Sequence, residues 1–357
     1  MRLLLVTNDF PPKPGGIQQY LAGLVDAWPG EVRVLAPAHP GADTSPGVVR
    51  GHRRFMWPTR RTRCWITAEA EDFGADVVLF GAPHPLAHAG PAVRDATGIP
   101  FGILCHGAEV TIPAAIPLLR RLVRHPMRQA NRVFAVSQFT AARVARLTGG
   151  EVAYVGSAAN PAFTPAEQPP TKTVIGCVSR FVPRKGQRRV LAAAARLQRD
   201  GHDVEVMLVG RGRDEGPLRR LATRLAVPTR FEVGVPFERL PELYREMTMF
   251  AMPCRSRWFG LEAEGLGVVF LEAAASGLPV VAGDSGGAPE TIRPGATGYV
   301  ATGAAEVTGA LATLLADPVA AAEMGRRGRE HVAVEYTWSR VVKRICDGLE
   351  EAVATRR

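Results

Sequence analysis

Residues 264–290 read EGLGVVFLEAAASGLPVVAGDSGGAPE, and the hydrophobic pattern changes three times within them. A glycine-rich turn, Glu264 to Gly267, opens an apolar segment that carries one carboxylate, Glu272. Ser276 and Gly277 end that segment, Leu278–Ala282 is an apolar run of strand length, and Gly283 to Gly287 is a second glycine-rich turn. Loop, helix, strand and loop at this spacing make the repeating unit of a parallel sheet covered by helices. Glycines at a helix start let a ligand approach the backbone, whose free N–H groups bind oxyanions. The carboxylates of Glu264 and Glu272 stand eight residues apart, one in the loop and one in the helix. A capped surface helix would also suit the first half of the stretch, but not the strand and turn that follow it.

The same alternation extends in both directions. Upstream, strands are predicted at Val174–Val178, Val204–Val209, Arg230–Val233 and Thr248–Met252. The chain opens with RLLLVTNDF, the cluster PPKPGG and an amphipathic segment from Ile17 to Ala27, which is strand, loop, helix. Further runs lie at Glu31–Ala36, Val77–Phe80, Phe101–Cys105 and Arg132–Val136, and Trp338 to Ala354 reads as one amphipathic helix. The polar, proline-rich interval 160–173, NPAFTPAEQPPTKT, has the composition of a linker. At 357 residues the chain exceeds what one core organises. The expectation is an α/β protein of two Rossmann-like domains, 1–165 and 166–337, facing across a cleft, with 338–357 as a closing helix. Ligands of open α/β sheets bind at the carboxyl ends of the strands, so chemistry is sought there.

Three groups of residues qualify. Ser179 to Gly186, SRFVPRKG, puts Arg180 and Lys185 five apart after a predicted strand. A guanidinium fork and an ammonium point charge at that place suit a diphosphate, and the segment by itself suits an ordinary basic loop equally well. In the first half, Gly15-Gly16 opens a helix, and His106 heads the segment His106-Gly107-Ala108-Glu109 at another strand end. Val209 to Arg213 is a fragment of a dinucleotide fingerprint without its remaining glycine or its acidic residue, and reads as a tight turn.

Composition narrows the classes further. Hydrophobic residues at 46% and charged residues at 22% describe an ordered globular chain. Cys64, Cys105, Cys177, Cys254 and Cys346 form no CxxC pair, which argues against zinc or a disulfide framework and for a reducing, cytoplasmic setting. No apolar run approaches a spanning helix, and Leu3 to Val6 is too short for a signal-peptide core. Lys and Arg outnumber Asp and Glu by 44 to 34, a net charge of +10. Two stretches without acidic residues concentrate it: RGHRRFMWPTRRTR, 50–63, and RRLVRHPMRQANR, 120–132. Mixed with Phe55, Met56 and Trp57, or with Leu118, Leu119, Leu122 and Val123, these cations suit the surface of an anionic membrane, or equally a solvated basic face. The basic stretches contain no RNP, helix-turn-helix or zinc-finger signature, so a nucleic-acid partner is not expected.

Taken together, NDFPPKPGGIQ, HGAE, RFVPRKG and EGLGVVFLEAAASGLPVVAGDSGGAPE resemble the retaining GT-B glycosyltransferases of family four, over nearly the whole chain. In VTNDFPP, MPCRSR and EGLGVVFLEA the chain is similar to the actinobacterial GDP-mannose-dependent phosphatidylinositol monomannoside mannosyltransferases. The resemblance implies that Arg180 and Lys185 bind the donor diphosphate together with the Gly16 amide. It implies that Glu272 takes the ribose hydroxyls, and that Gly234 and Val235 read the base through their backbone. Glu264 would hold the sugar hydroxyls with Gly265, Leu266 and Gly267, and His106 would touch the sugar near the reacting carbon. Asn8, Asp9 and Gln18 fall where the family places its acceptor. No metal and no tightly bound cofactor is implied, the substrate being a nucleotide sugar such as GDP-mannose. The implied setting is cytoplasmic, peripheral on the inner face of the plasma membrane. Relatives carry a Gly-Val-Asp turn just before the linker, where this chain reads Tyr154-Val155-Gly156-Ser157-Ala158-Ala159-Asn160, and a histidine where Ala108 stands. Those two departures point to the alternative, a soluble enzyme of the same family acting on a small acceptor.

Overall fold

The computed structural model describes residues 1–42, 46–107, 109–110 and 114–354, without the side chains of Pro117 and Leu118. Ala108, at one of the two departures from the relatives, and the Leu118 side chain lie outside the described residues. The chain forms two compact units, Met1–Ser157 with Trp338–Arg357, and Ala158–Thr337.

The first unit is built on seven strands: β1 (Leu3–Val6), β2 (Val32–Ala36), β3 (Val48–Arg50), β4 (Val77–Phe80), β5 (Phe101–Cys105), β6 (Arg132–Ala135) and β7 (Ala153–Tyr154). They are all parallel, in the order β3-β2-β1-β4-β5-β6-β7. Continuous apolar runs such as Leu3–Val6 and Val77–Phe80 are fully buried because helices cover both faces of a parallel sheet. The helix Gly16–Asp26 follows β1, and the helix Trp338–Ala354 packs on the same unit. There Arg344 donates to the Val155 carbonyl at 3.2 Å, and Tyr20 meets the Trp338 ring edge-on at 5.4 Å.

The second unit repeats the plan with β8 (Thr173–Val178), β9 (Val204–Gly210), β10 (Thr229–Val233), β11 (Met249–Met252), β12 (Val280–Gly283) and β13 (Gly298–Ala301). Its order, β10-β9-β8-β11-β12-β13, is again wholly parallel. In each unit the direction of winding reverses once, beside β1 and β4 in the first and beside β8 and β11 in the second. Such a switch point leaves a crevice at the carboxyl ends of the two strands.

Ten expected strands are present, the nine that were given bounds lying within one or two residues of them. Three were not predicted: β3, β7 and β13, of three, two and four residues. All three are edge strands with one neighbour, too short to show a periodicity. Among the described residues no single helix is long and apolar enough to cross a membrane.

Candidate active site

In the second unit, β8 ends at Val178 and the chain runs through a tight turn, Pro183–Lys185, into the helix Gln187–Arg199. Gly186 at the junction has φ 83°, and a Cβ there would lie 2.3 Å from the Pro253 carbonyl oxygen, so only glycine closes this turn against the end of β11. Gln187, buried, donates to Ser179 Oγ and to the Arg180 carbonyl, both at 2.8 Å, and this clamps the turn to the strand end.

The turn delivers two cations to one carboxylate. Arg184 and Lys185 are 6% and 7% exposed, and Glu264 is 8% exposed. Arg184 Nη1 donates to Glu264 Oε2 at 2.6 Å and Lys185 Nζ to the same oxygen at 2.7 Å. Burial pushes the Glu264 carboxyl upward, but the charges of Lys185 and Arg184 and their hydrogen bonds outweigh it and hold it at about 2. The Glu264 backbone is fixed as well. Its N–H donates to Ser285 Oγ at 3.2 Å and its carbonyl accepts from the Gly287 N–H at 3.0 Å. Arg180 lies exposed at the strand end, and no partner for its guanidinium is seen among the described residues. Two buried cations on one anion leave a net positive charge, and Arg180 adds a second that is free to meet a ligand.

Gly265 to Gly267 lead into the helix Val268–Ala275, whose N-terminus no side chain caps. Its amides remain available to an oxygen ligand. Glu272 lies inside this helix, buried, and Oε2 accepts from the Tyr244 hydroxyl at 2.9 Å. Burial raises its carboxyl to about 7, the Tyr244 hydrogen bond pulling the other way. Gly234, with φ 70° and open space where a Cβ would stand, and Val235 follow β10 in an open turn.

The first unit gathers a separate group at the ends of β1, β4 and β5. His106 Nε2 lies 3.0 Å from the Gly81 carbonyl. A carbonyl only accepts, so Nε2 carries the proton and Nδ1 is the bare nitrogen of the neutral ring. Burial holds the His106 pKa below its usual value, against the opposing effects of Glu109, the Gly81 carbonyl and Asp9. Tyr20, from the helix Gly16–Asp26, meets the His106 ring edge-on at 5.3 Å. Gly16 opens that helix, exposed and without a side-chain cap. Asp9 Oδ1 accepts from Lys13 Nζ at 2.6 Å and from Gln18 Nε2 at 2.7 Å. Asn8 is spent differently. Its Nδ2 donates to the Met56 carbonyl at 2.9 Å and its Oδ1 accepts from the Met56 N–H at 2.8 Å. Both ends of that amide therefore hold the basic stretch 50–63 against the end of β1.

The second unit thus brings together Lys185, Glu264 and the loop 265–267, with Glu272 further along the same helix. It adds three participants that the sequence reading passed over: Arg184, Tyr244 and Ser285. Nothing in SRFVPRKG distinguishes Arg184 from its neighbouring cations, since the partner that buries it lies 80 residues away. Among the described residues no group of three or more His, Cys, Asp or Glu is placed to hold a metal ion.

Comparison with known proteins adds to this geometry. Residues 14–155 match the family described as Glycosyltransferase Family 4, and residues 162–331 match Glycosyl transferases group 1. A GDP-mannose-dependent alpha-(1-6)-phosphatidylinositol monomannoside mannosyltransferase of Mycolicibacterium smegmatis is 37% identical, covering 94% of this chain and 95% of its own. A monoacylated-substrate counterpart from Corynebacterium glutamicum is 34% identical over 98% of each chain. Among solved structures, sucrose-phosphate synthase from Thermosynechococcus elongatus superposes with a TM-score of 0.80 at 20% identity, covering 99% of both chains. The Anabaena HepE protein in complex with UDP and glucose superposes at 0.77 and 18%, covering 98% of this chain and 99% of its own.

Proposed function

The chain belongs to the family-four glycosyltransferases of GT-B fold, and from that premise we propose that it moves mannose from GDP-mannose, with retention, onto a phosphatidylinositol mannoside at a membrane surface. The observation that carries the donor half is the buried cluster of Arg184, Lys185 and Glu264 at the switch point of the second unit. A sugar transfer of this kind breaks the bond between the anomeric carbon and a phosphate oxygen, and the departing diphosphate gains charge as it leaves. Lys185 and Arg180 neutralise that charge, the amides of Gly265 to Gly267 and the Glu264 carboxylate hold the sugar hydroxyls, and Glu272 accepts from the ribose. Gly234 and Val235 present their backbone to the base. In the first unit, Gly16 offers its amide to the diphosphate and His106 its ring to the sugar, while Asp9 and Gln18 serve the acceptor. The acceptor hydroxyl attacks the anomeric carbon from the side the phosphate leaves, and its proton passes to the leaving phosphate oxygen.

The names of the relatives in two actinobacterial genera support the mannosyl donor and the lipid acceptor. Surface chemistry of the first unit supports a peripheral, cytoplasmic-side location. Ile116, Leu119 and Leu122 are exposed at the start of the helix Pro117–Gln129, beside exposed Arg120 and Arg121. Phe55 and Trp57 are exposed beside Arg53 and Arg54. Apolar side chains set among cations fit the headgroup layer of an anionic bilayer.

Calorimetric titration with GDP, UDP and ADP, repeated on Lys185→Ala, tests the donor half. Selective GDP binding that the substitution weakens is expected, whereas selective UDP binding removes the mannosyl donor. Transfer of labelled mannose to phosphatidylinositol monomannoside in vesicles tests the acceptor half, and turnover only on a small soluble acceptor overturns it.

A further inference from the structure

Beyond the end of β11 the chain leaves the body of the second unit as a short hairpin. Arg257 and Glu262 pair across it, the Arg257 N–H donating to the Glu262 carbonyl at 2.9 Å and the Glu262 N–H returning to the Arg257 carbonyl at 3.2 Å. Trp258 and Phe259 form its tip, 56% and 106% exposed. Both have left-handed backbone, φ 50° and 54°, a region that costs bulky residues free energy. The root is rigid. The Arg255 N–H donates to the Arg184 carbonyl at 2.8 Å, and Ser256 Oγ lies 3.1 Å from Ser285 Oγ, so the hairpin is mounted on the segments that hold Glu264.

The charge at the tip is positive. The Arg257 guanidinium lies 4.9 Å from the centre of the Trp258 ring. Arg255 is exposed, with no side-chain partner seen among the described residues. The nearby carboxylate, Glu262, is already taken by Arg257 at 3.4 Å and Arg184 at 3.6 Å. Rings this exposed do not enclose a small ligand, which needs a concave site. A net charge of +10 disfavours a second copy of the chain as the occupant. What fits is a medium that accepts aromatic rings at an interface and offers anions to the arginines beside them.

We propose that the Trp258–Phe259 tip is a membrane foot of the second unit, inserting its two rings into the headgroup layer of an anionic phospholipid bilayer while Arg255 and Arg257 meet lipid phosphates. This rests on the lipid-acceptor reading above and adds to it a contact made by the donor-binding unit itself. The strained backbone then holds the rings outward without waiting for the membrane.

The test uses the full chain with vesicles of phosphatidylcholine alone and with added phosphatidylinositol. Trp258→Ser/Phe259→Ser is expected to lose affinity for the anionic vesicles by about tenfold or more, with turnover on a water-soluble mannoside acceptor unchanged. In a Trp57→Phe background, brominated acyl chains are expected to quench tryptophan fluorescence, and Trp258→Phe to remove most of that quenching. Vesicle binding by the double variant equal to that of the parent, or the absence of a Trp258 contribution to quenching, overturns the foot and leaves the lipid acceptor standing. Loss of turnover on the soluble acceptor assigns the tip to the donor loop and overturns the foot as well. If the parent stays in the supernatant with every vesicle, the lipid-acceptor reading itself fails, and the foot with it.

Discussion

Arg184 Nη1 stands 2.6 Å from Oε2 of Glu264, the same oxygen that Lys185 takes at 2.7 Å. The cluster therefore divides labour. Arg184, which also reaches Glu262 at 3.6 Å, fixes the carboxylate, and Lys185 is the member with a charge to share.

Removing Arg184 leaves Glu264 buried with one cation in place of two. Arg184→Ala is expected to cost about 3 kcal/mol of unfolding free energy, read from denaturant midpoints. Lys185→Ala is expected to lower affinity for a nucleoside diphosphate by about 10- to 100-fold, read by calorimetry. Equal losses of affinity in both variants with stability intact in both would contradict the division.

The two carboxylates have opposite signs of pH dependence. Glu272 sits at about 7 in the folded chain against 4.5 unperturbed, so the folded state binds its proton more tightly. Stability from this group is full below 4.5 and is lost as pH climbs to about 7. Glu264, held near 2 against 4.5, contributes stability above 4.5 that is lost as pH falls toward 2. Replacing Glu272 with Gln should therefore flatten stability between 4.5 and 7. Nucleotide affinity should rise as Glu272 ionises and its two oxygens become acceptors for ribose, and Glu272→Gln should abolish that rise. A persistent rise in the variant would assign it to the nucleotide's own phosphates.

His106 donates to the Gly81 carbonyl and is held neutral by burial, with its pKa below the usual value. The rate profile above about pH 6.5 should show no limb from this ring. His106→Ala should reduce kcat by about 100-fold while leaving nucleotide affinity in place. A matching loss of affinity would move His106 from the sugar to the nucleotide.

Gly286 has φ 61°, and a Cβ there would lie 1.9 Å from the Glu264 carbonyl oxygen. Gly286→Ala should cost about 1–3 kcal/mol and displace Glu264, with loss of donor affinity. Gly309, exposed in the helix Ala304–Ala316 with open space where a Cβ would stand, is the control. Gly309→Ala should gain up to about 1 kcal/mol of stability without changing donor binding.

Much of this molecule is legible in its residues alone. Apolar runs of strand length, separated by glycine turns and amphipathic segments, determined that there are parallel α/β units, because a strand covered on both faces must be apolar throughout. They also placed Lys185 and Glu264 in loops between a strand end and a helix start, and Glu272 inside the helix that follows Glu264. The three short edge strands escaped, since two to four residues with one neighbour carry no period.

Only the tertiary structure decided how the polar side chains are spent. Asn8 gives both ends of its amide to Met56, 48 residues on, and Glu272 meets Tyr244, 28 residues back. Of the three cations in SRFVPRKG, the two that turn inward are Arg184 and Lys185, while Arg180 stays in solvent. Local pattern sets where a loop begins and ends. Which of its charges is buried depends on a partner brought from 79 or 80 residues away, because a buried charge is tolerated only where another chain segment supplies its counter-ion.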